Sequence, residues 1–147
     1  MKISTKGRYA LRALMYLAQN EKSKKPITMG EISRDQEISV KYLELIVRML
    51  VSLGMVKSIK GKNGGLVLAK KASKIKFLDI LKATEGSLAL VECVENPKSC
   101  GRYKICRTRK IWMDFSKIFA GQFRKVTLQQ LVRKYCNKSK KRQNKAK

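Results

Sequence analysis

Two short amphipathic segments, separated by a three-residue turn, constrain the fold more than any other feature of the chain. Thr28 and Glu31 have the spacing of a capping box, which predicts a helix from Thr28 to about Asp35. Ser39 is a favourable N-cap for the next helix, whose apolar residues follow i, i+3, i+4 and i+7 spacing: Leu43, Ile46, Val47 and Leu50. The two segments joined by residues 36–38 therefore predict a helix-turn-helix.

A glycine-rich basic segment follows the second of these helices. Short runs with β-propensity cover residues 55–59 and 66–69, and between them lie residues that tolerate positive φ: Gly61, Asn63, Gly64 and Gly65. A basic hairpin directly after a helix-turn-helix predicts a wing. With a first helix over residues 6–19 and a fourth over 75–84, residues 1–86 are predicted to form a winged helix-turn-helix domain that binds DNA.

The second half of the chain has a different character. Residues 87–107 carry three of the four cysteines and show little periodicity, so they predict a sensor loop, which we name the cysteine loop. Residues 108–136 predict a long apolar helix and, from the capping-box spacing of Thr127 and Gln130, a short C-terminal helix. Residues 137–147 are polar and mostly basic, which predicts a disordered tail.

The long helix is more apolar than a small winged-helix domain needs for its own core. Its apolar side chains are Ile111, Trp112, Phe115, Ile118 and Phe119. Such a stripe calls for a partner. The same helix of a second subunit would give a two-fold homodimer that binds a palindromic site, and packing against its own domain is the alternative. We therefore predict a mainly α fold with a small β wing: a winged helix-turn-helix plus a long dimerisation helix.

The charge of the chain indicates a polyanionic partner. Lys and Arg number 35 against 10 Asp and Glu, a formal net charge of +25. The phosphates of nucleic acid relieve such a surplus, and an anionic membrane surface is the alternative. No apolar run is long enough to span a bilayer, and the N-terminus lacks the apolar block of a secretory signal. We therefore predict a cytoplasmic protein without a membrane partner. The chain has no His and no nucleophile-elbow or phosphate-cradling motif, which argues against an enzyme.

The N-terminal part of the second helix in a helix-turn-helix lies nearest the base edges of the major groove. The candidate DNA-binding residues on that helix are Ser39, Lys41, Tyr42, Glu44 and Arg48. Of these, Lys41 and Arg48 can contact phosphate or guanine, whereas Glu44 can accept from cytosine N4 and repel phosphate. The wing is a narrow turn whose cations can enter the minor groove, and its candidates are Lys60, Lys62, Asn63 and Gly64. The alternatives are a solvated helix face and an ordinary hairpin turn.

Cys93, Cys100 and Cys106 are the candidate cofactor and metal ligands. Their separations of seven and six residues differ from the Cys-x-x-Cys pairs of a zinc ribbon. Widely spaced thiolates in a loop can converge on an iron–sulfur cluster, and the Lys and Arg residues around them favour the thiolate form that binds metal. Redox-active thiols, or thiols without a function, are the alternatives.

Taken together, these motifs resemble the family of winged-helix transcription regulators that includes IscR, NsrR and CymR, and IscR most closely. The likeness runs from Met1 to about Tyr135 and covers the opening MKIS-TKGRYAL, the helix ISVKYLELIVRMLVSLGMV, the wing GKNGGLVLAK, the three cysteines and the segment VTLQQLV. The resemblance implies a dimeric transcription regulator that binds a palindromic operator in double-stranded DNA. It also implies an iron–sulfur cluster on the three cysteines, 2Fe–2S rather than 4Fe–4S, that senses iron–sulfur, redox or nitric-oxide status.

The chain departs from the family's ligand patterns at two arginines. Arg109 occupies the position of a His three residues after the third cysteine, and Arg8 occupies the position of a carboxylate in the first helix. Neither guanidinium ligates iron, so the fourth ligand is open among Cys136, Glu92, Glu95, Glu21 and an exogenous thiol or water. Lys60 also replaces an arginine of the family's wing and lacks its planar fork.

Two other functions remain as alternatives at this point. The first is a cluster-free regulator controlled by thiol oxidation or by a protein partner, as in CymR. The second is a sequence-nonspecific nucleic-acid-binding protein, which would bind random and palindromic DNA with equal affinity. The carboxylate of Glu44 on the predicted reading face argues against the second, because an anion there serves no purpose in nonspecific binding.

Overall fold

The computed structural model describes residues 3–23 and 25–136, and in that part the chain forms seven α-helices and one antiparallel pair of strands. In chain order the elements are α1 (Thr5–Gln19), α2 (Met29–Gln36), α3 (Val40–Ser52), β1 (Val56–Ile59), β2 (Gly65–Leu68), α4 (Phe77–Glu85), α5 (Glu92–Glu95), α6 (Arg107–Lys125) and α7 (Leu128–Leu131). A π-helical turn, Val132–Cys136, follows α7, and 3-10 turns lie at Glu21–Ser23, Ala72–Lys74 and Pro97–Ser99.

The mainly α fold with a small β wing is thereby confirmed. None of the helices in the described ranges is long and apolar enough to cross a membrane. The predicted disordered tail, residues 137–147, lies outside the described residues.

The helix-turn-helix forms because local hydrogen bonds define each helix end. At the start of α2, the Glu31 backbone N–H donates to Thr28 Oγ1 (3.2 Å) and the Thr28 N–H donates to Glu31 Oε2 (2.7 Å), so the predicted capping box is confirmed. Glu37 follows α2 with a left-handed φ of 50°. The Ser39 side chain then accepts from the Tyr42 N–H and begins α3. The predicted turn between the two helices is therefore confirmed as well.

One apolar core joins α1, α2, α3 and α7. Its fully buried members include Leu14, Ile32, Leu43, Ile46, Leu50 and Leu128. Burying one such side chain stabilises the fold by about 1.5–3 kcal/mol relative to exposure. Since three of these residues belong to α3, the core determines which face of α3 points to solvent.

The strands β1 and β2 form the predicted wing. They pair antiparallel, with Val56 opposite Leu68 and Ile59 opposite Gly65. The segment before α2 adds a bridge to β2, in which the Ile27 N–H donates to the Leu66 carbonyl (3.0 Å) and the Leu66 N–H donates to the Ile27 carbonyl (2.8 Å). A side chain at Gly65 would stand 2.7 Å from the Ile27 carbonyl oxygen, so this close approach of two backbones requires glycine.

The cysteine loop contains more regular structure than its sequence indicates. Both α5 and the Pro97–Ser99 turn lie within residues 87–107, which we predicted to be a loop. Pro97 favours the start of a helical turn because its φ is already fixed near the helical value. The Asn96 side chain caps that turn by accepting from the Lys98 N–H (3.2 Å). The prediction missed both elements because each is too short to show apolar periodicity.

The long helix α6 has an inward and an outward face. Inward, Ala120 and Phe123 pack against α4 and Leu88, and the Phe123 ring meets Phe77 edge-on with centroids 5.3 Å apart. Outward, the five predicted apolar residues, which we name the α6 stripe, keep between 40% and 56% of their surface exposed: Ile111, Trp112, Phe115, Ile118 and Phe119. The helix therefore packs on its own domain through one face only.

Backbone hydrogen bonds attach the C-terminal end of α6 to the winged-helix domain. The Phe77 N–H donates to the Val126 carbonyl, and the Leu128 N–H donates to the Ile75 carbonyl, both at 2.9 Å. The predicted capping box of Thr127 and Gln130 then begins α7 and is confirmed. Because Cys106 is the N-cap of α6, this helix connects the cysteine loop to the winged-helix core.

Candidate nucleic-acid interface and cysteine segment

α3 presents one face to the core and the opposite face to solvent. Of the predicted DNA-binding residues, Lys41, Glu44 and Arg48 are exposed on the outward face. The same face carries Leu45, which is 57% exposed. The sequence prediction missed Leu45, because apolar periodicity singles out buried positions and disregards an aliphatic residue on a polar face. The outward face thus combines two cations, one carboxylate and one exposed leucine.

Two other predicted contacts, Ser39 and Tyr42, have partners within the chain. The Ser39 hydroxyl oxygen accepts from the Tyr42 N–H (3.3 Å) and so caps α3. The Tyr42 ring is half-buried and meets the Tyr9 ring of α1 at 83°, with centroids 5.8 Å apart. Tyr42 therefore joins α3 to α1, and DNA contact by either residue stays a prediction.

Arg12 of α1 holds the turn of the helix-turn-helix. Its Nε donates to Gln36 Oε1 (3.3 Å), its Nη2 donates to the Gln36 carbonyl oxygen, and its guanidinium carbon lies 5.4 Å from the centre of the Tyr9 ring. These contacts fix the end of α2, and hence the start of α3, against α1. The sequence prediction missed Arg12 because its partner lies 24 residues away and no local pattern links the two.

The wing tip exposes three of its four predicted DNA-binding residues, Lys60, Lys62 and Asn63. The fourth, Gly64, closes the turn by donating its N–H to the Gly61 carbonyl (2.9 Å). A Cβ at Gly64 would lie 2.3 Å from the Ile59 carbonyl oxygen, so no other residue fits without moving the backbone. Gly64 therefore shapes the wing, and the three exposed side chains can reach a partner.

Glu44→Ala is expected to relax sequence choice while keeping or raising overall DNA affinity. Residues 39–64 hold five cations (Lys41, Arg48, Lys57, Lys60 and Lys62) and this one carboxylate. Its removal would reduce repulsion from phosphate and delete the predicted acceptor for cytosine N4. Affinities for a selected and a scrambled duplex at one salt concentration measure the change, and we expect their ratio to fall about tenfold, the size of one base contact. Equal loss of binding to every duplex would instead give Glu44 a structural role.

The three predicted cysteine ligands lie on separate short elements. Cys93 is in α5, Cys100 follows the Pro97–Ser99 turn, and Cys106 is the N-cap of α6. All three are half-buried, and none forms a disulfide. Within residues 3–23 and 25–136, no three side chains of His, Cys, Asp or Glu form a group that could hold a metal ion. The donor atoms are therefore of the right chemistry for iron, but this conformation does not gather them.

Arg109 holds the cysteine loop in this arrangement. Its Nε donates to the Cys93 carbonyl oxygen (3.2 Å), and its guanidinium carbon lies 4.3 Å from the centre of the Tyr103 ring. One side chain of α6 thus contacts two separate points of the loop. The residue that stands where the family resemblance predicts a His ligand therefore has a structural role here.

The Cys106 thiol has a pKa below the ordinary value for cysteine. The hydrogen bond with the Thr108 side chain, whose Oγ1 lies 3.3 Å from Cys106 Sγ, is the largest cause of the lowered pKa, and the Arg109 backbone is the next. A thiol with a lowered pKa is present as thiolate to a greater extent, and the thiolate is both the metal ligand and the form that oxidants attack. The surroundings of Cys106 therefore favour the form of its thiol that binds metal or reacts with oxidants.

Two candidates for a fourth ligand lie elsewhere in the molecule. Cys136 and Glu21 both line a cavity of about 540 Å³ beside the end of α1, and none of the three triad cysteines lines it. Burial raises the pKa of the Cys136 thiol, so that thiolate formation is disfavoured there. In the described conformation these two residues therefore line a site that does not include Cys93, Cys100 or Cys106.

A family model, curated relatives and solved structures all place this chain among transcriptional regulators of one family. A family model named Rrf2, described as an iron-dependent transcriptional regulator, matches residues 3–134. The protein rrf2 of Nitratidesulfovibrio vulgaris is 38% identical over 133 residues, which cover 90% of this chain and 88% of that protein. The transcriptional regulator IscR of Escherichia coli is 33% identical over 132 residues, covering 90% and 80%. The solved structure of CymR, the global cysteine regulator of B. subtilis, superposes with a TM-score of 0.74 at 32% identity, covering 90% and 96%.

Proposed function

This chain belongs to the Rrf2 family of transcriptional regulators, and from that premise we propose that it binds a palindromic operator as a homodimer through α3 and the wing. The observation that carries the proposal is the outward face of α3, where Lys41, Glu44 and Arg48 are exposed while the opposite face is buried in the core. A helix in this position of a helix-turn-helix enters the major groove. The exposed lysines of the wing add contacts to phosphate or to the neighbouring minor groove.

The α6 stripe is the proposed dimer interface. Its five apolar side chains form a continuous exposed face on one helix, and such a face marks an interaction surface. In a two-fold dimer the α6 stripe of one subunit packs against the α6 stripe of the other, so a single apolar face is enough to form the interface. Dimerisation would present two copies of α3 to the two half-sites of a palindrome.

Cys93, Cys100 and Cys106 are the proposed sensing residues, and their proposed cofactor is an iron–sulfur cluster of the 2Fe–2S type. The support is the chemistry of three thiols outside any disulfide, the lowered pKa of the Cys106 thiol, and the iron dependence in the description of the family. When bound, such a cluster supplies an oxidisable group that can be lost. Since the three thiols do not form a group that could hold a metal ion in the described conformation, we expect residues 93–106 to rearrange when a cluster binds.

A cluster-free regulator controlled by thiol oxidation is the second candidate. The lowered pKa of the Cys106 thiol favours it, because a thiolate reacts with oxidants without any need for three sulfurs to converge. In either case the loop ends where α6 begins, so its rearrangement acts directly on the proposed dimer helix.

The iron and sulfide content of protein purified without oxygen separates these two candidates. We expect the wild type to contain iron and acid-labile sulfide in comparable amounts, and we expect Cys106→Ser to lose most of both because a hydroxyl replaces a thiolate ligand. Cys136→Ser makes the same chemical change at the separate cavity and is expected to keep the iron. A wild type that stays iron-free after anaerobic reconstitution would rule out the cluster. A change in the DNA affinity of that protein on peroxide treatment, absent from Cys106→Ser, would then support the thiol regulator.

The remaining features follow from the same premise. A transcription regulator acts where the chromosome is, so we propose a cytoplasmic location with no membrane partner. Regulation by binding needs no catalysis, and we propose no enzymatic activity.

A further inference from the structure

Leu45 is an aliphatic side chain placed among cations on the outward face of α3. It is 57% exposed, whereas Leu43, two residues before it, and Ile46, the next residue, are both 0% exposed. Lys41, Leu45 and Arg48 follow i, i+4 and i+7 spacing, so they form one stripe along the helix. The leucine therefore lies between the two cations that are predicted to contact DNA.

The position of Leu45 on the outward face of α3, and not its exposure alone, indicates a role in DNA binding. Single exposed leucines are common on protein surfaces and need no explanation. This one, however, lies on the face that the proposed function inserts into the major groove, where Lys41 and Arg48 find phosphate oxygens or guanine acceptors. Leu45 makes no hydrogen bond, and packing it on a polar base edge would leave a donor or acceptor unsatisfied. The apolar group that the major groove offers is the C5-methyl of thymine.

We infer that Leu45 reads a thymine through its C5-methyl group, at a base pair between the DNA groups that Lys41 and Arg48 contact. The inference rests on the proposed function, since it requires α3 to lie in the major groove. A cytosine at that position would present its N4 donor and a C5 without a methyl group. Leu45 thus selects by apolar contact, next to side chains that select by hydrogen bonds and charge.

Deoxyuridine, which differs from thymidine only by the missing methyl group, tests the inference. A duplex selected by the wild-type chain from a random pool is resynthesised with each thymine in turn replaced by deoxyuridine, and binding is measured by fluorescence anisotropy at constant salt. A single replacement in one half-site is expected to weaken binding about fourfold, which corresponds to losing the burial of one methyl group. Replacement in both half-sites is expected to weaken binding about fifteenfold.

Leu45→Ala is expected to bind the thymine and deoxyuridine duplexes with equal affinity, which completes a double-mutant cycle across the interface. Val51→Ala is the matched control, because it shortens another exposed aliphatic side chain of α3 (39% exposed) nearer the C-terminal end. This control is expected to keep the full deoxyuridine effect. If Leu45→Ala binds too weakly to measure, Leu45→Met retains an apolar side chain and is expected to keep the effect.

The outcomes separate this inference from the proposed function. A wild type that is insensitive to every deoxyuridine replacement would overturn the role of Leu45 and leave DNA binding by α3 intact. The same holds if the effect persists in Leu45→Ala or disappears in Val51→Ala. A wild type that selects no preferred duplex from the pool would instead overturn the proposed sequence-specific regulator.

Discussion

Phe115→Asp is expected to convert the proposed dimer into monomers and to weaken binding to a palindromic duplex by about 100-fold or more, the lower end of the gain from linking two binding sites. Phe115 lies at the middle of the α6 stripe and is 50% exposed. In a two-fold pair the variant would place two unpaired carboxylates in an apolar interface, at a cost of several kcal/mol. Sedimentation velocity at micromolar concentration and anisotropy with full and half palindromes measure the two effects.

Gly121→Asp is the matched control for this prediction. It adds the same charge to the same helix at an exposed position where a Cβ would meet no atom within 4 Å. It lies six residues after Phe115, about a third of a turn away around the helix. We expect this control to remain dimeric, and both variants to bind a half palindrome as the wild type does because α3 is unchanged. A Phe115→Asp protein that is still dimeric would contradict the assignment of the interface to α6.

Leu50→Ala is expected to lower the free energy of unfolding by about 2–5 kcal/mol, the usual cost of replacing a buried leucine by alanine. Leu50 is 0% exposed in the core that α1, α2 and α3 share, so the truncation leaves a cavity beneath the outward face of α3 that is proposed to contact DNA. For a chain of this length the melting temperature should fall by about 10 °C. Urea denaturation should show a lower midpoint with an unchanged slope.

The same substitution at Leu45 provides the comparison for Leu50→Ala. Both positions are leucines of α3, but Leu45 is 57% exposed. Leu45→Ala should therefore change the free energy of unfolding by less than about 0.5 kcal/mol, as is usual for exposed positions. Equal losses of stability in the two variants would mean that Leu45 is packed within the protein, and its proposed contact with thymine would lose its basis.

The parts of the fold that sequence patterns predicted are those decided by residues close together in the chain. The capping boxes at Thr28 and Thr127 each depend on a partner three residues later. The wing turn depends on glycines that allow close backbone approach, and the outward face of α3 follows from helical spacing alone. In each case the interaction is local, so the residue types and their spacing carry the information.

Contacts between distant segments leave no such pattern. Arg12 reaches Gln36 across 24 residues and Arg109 reaches Cys93 across 16, and neither pair has a spacing that identifies it. The spatial arrangement of the three cysteines could not be predicted for the same reason. Their spacing fixes the length of chain between the thiols but not the distance between them in space. The contacts of Arg109 with Cys93 and Tyr103 then hold the loop in a form that no sequence rule describes.

The attachment of α6 at Val126 and Leu128 has a mechanical consequence. At 1.5 Å per residue the 19 residues of α6 form a rod about 28 Å long, whose C-terminal end is held by backbone hydrogen bonds and whose inward face packs on α4 and Leu88. A tilt of about 10° around the fixed end would carry Cys106 by about 5 Å, roughly the length of a side chain. Conversely, a displacement of Cys106 by that amount turns the whole helix by about 10°. In the proposed dimer, a small change in the angle between the two α6 helices would alter the separation of the two copies of α3 without unfolding either subunit.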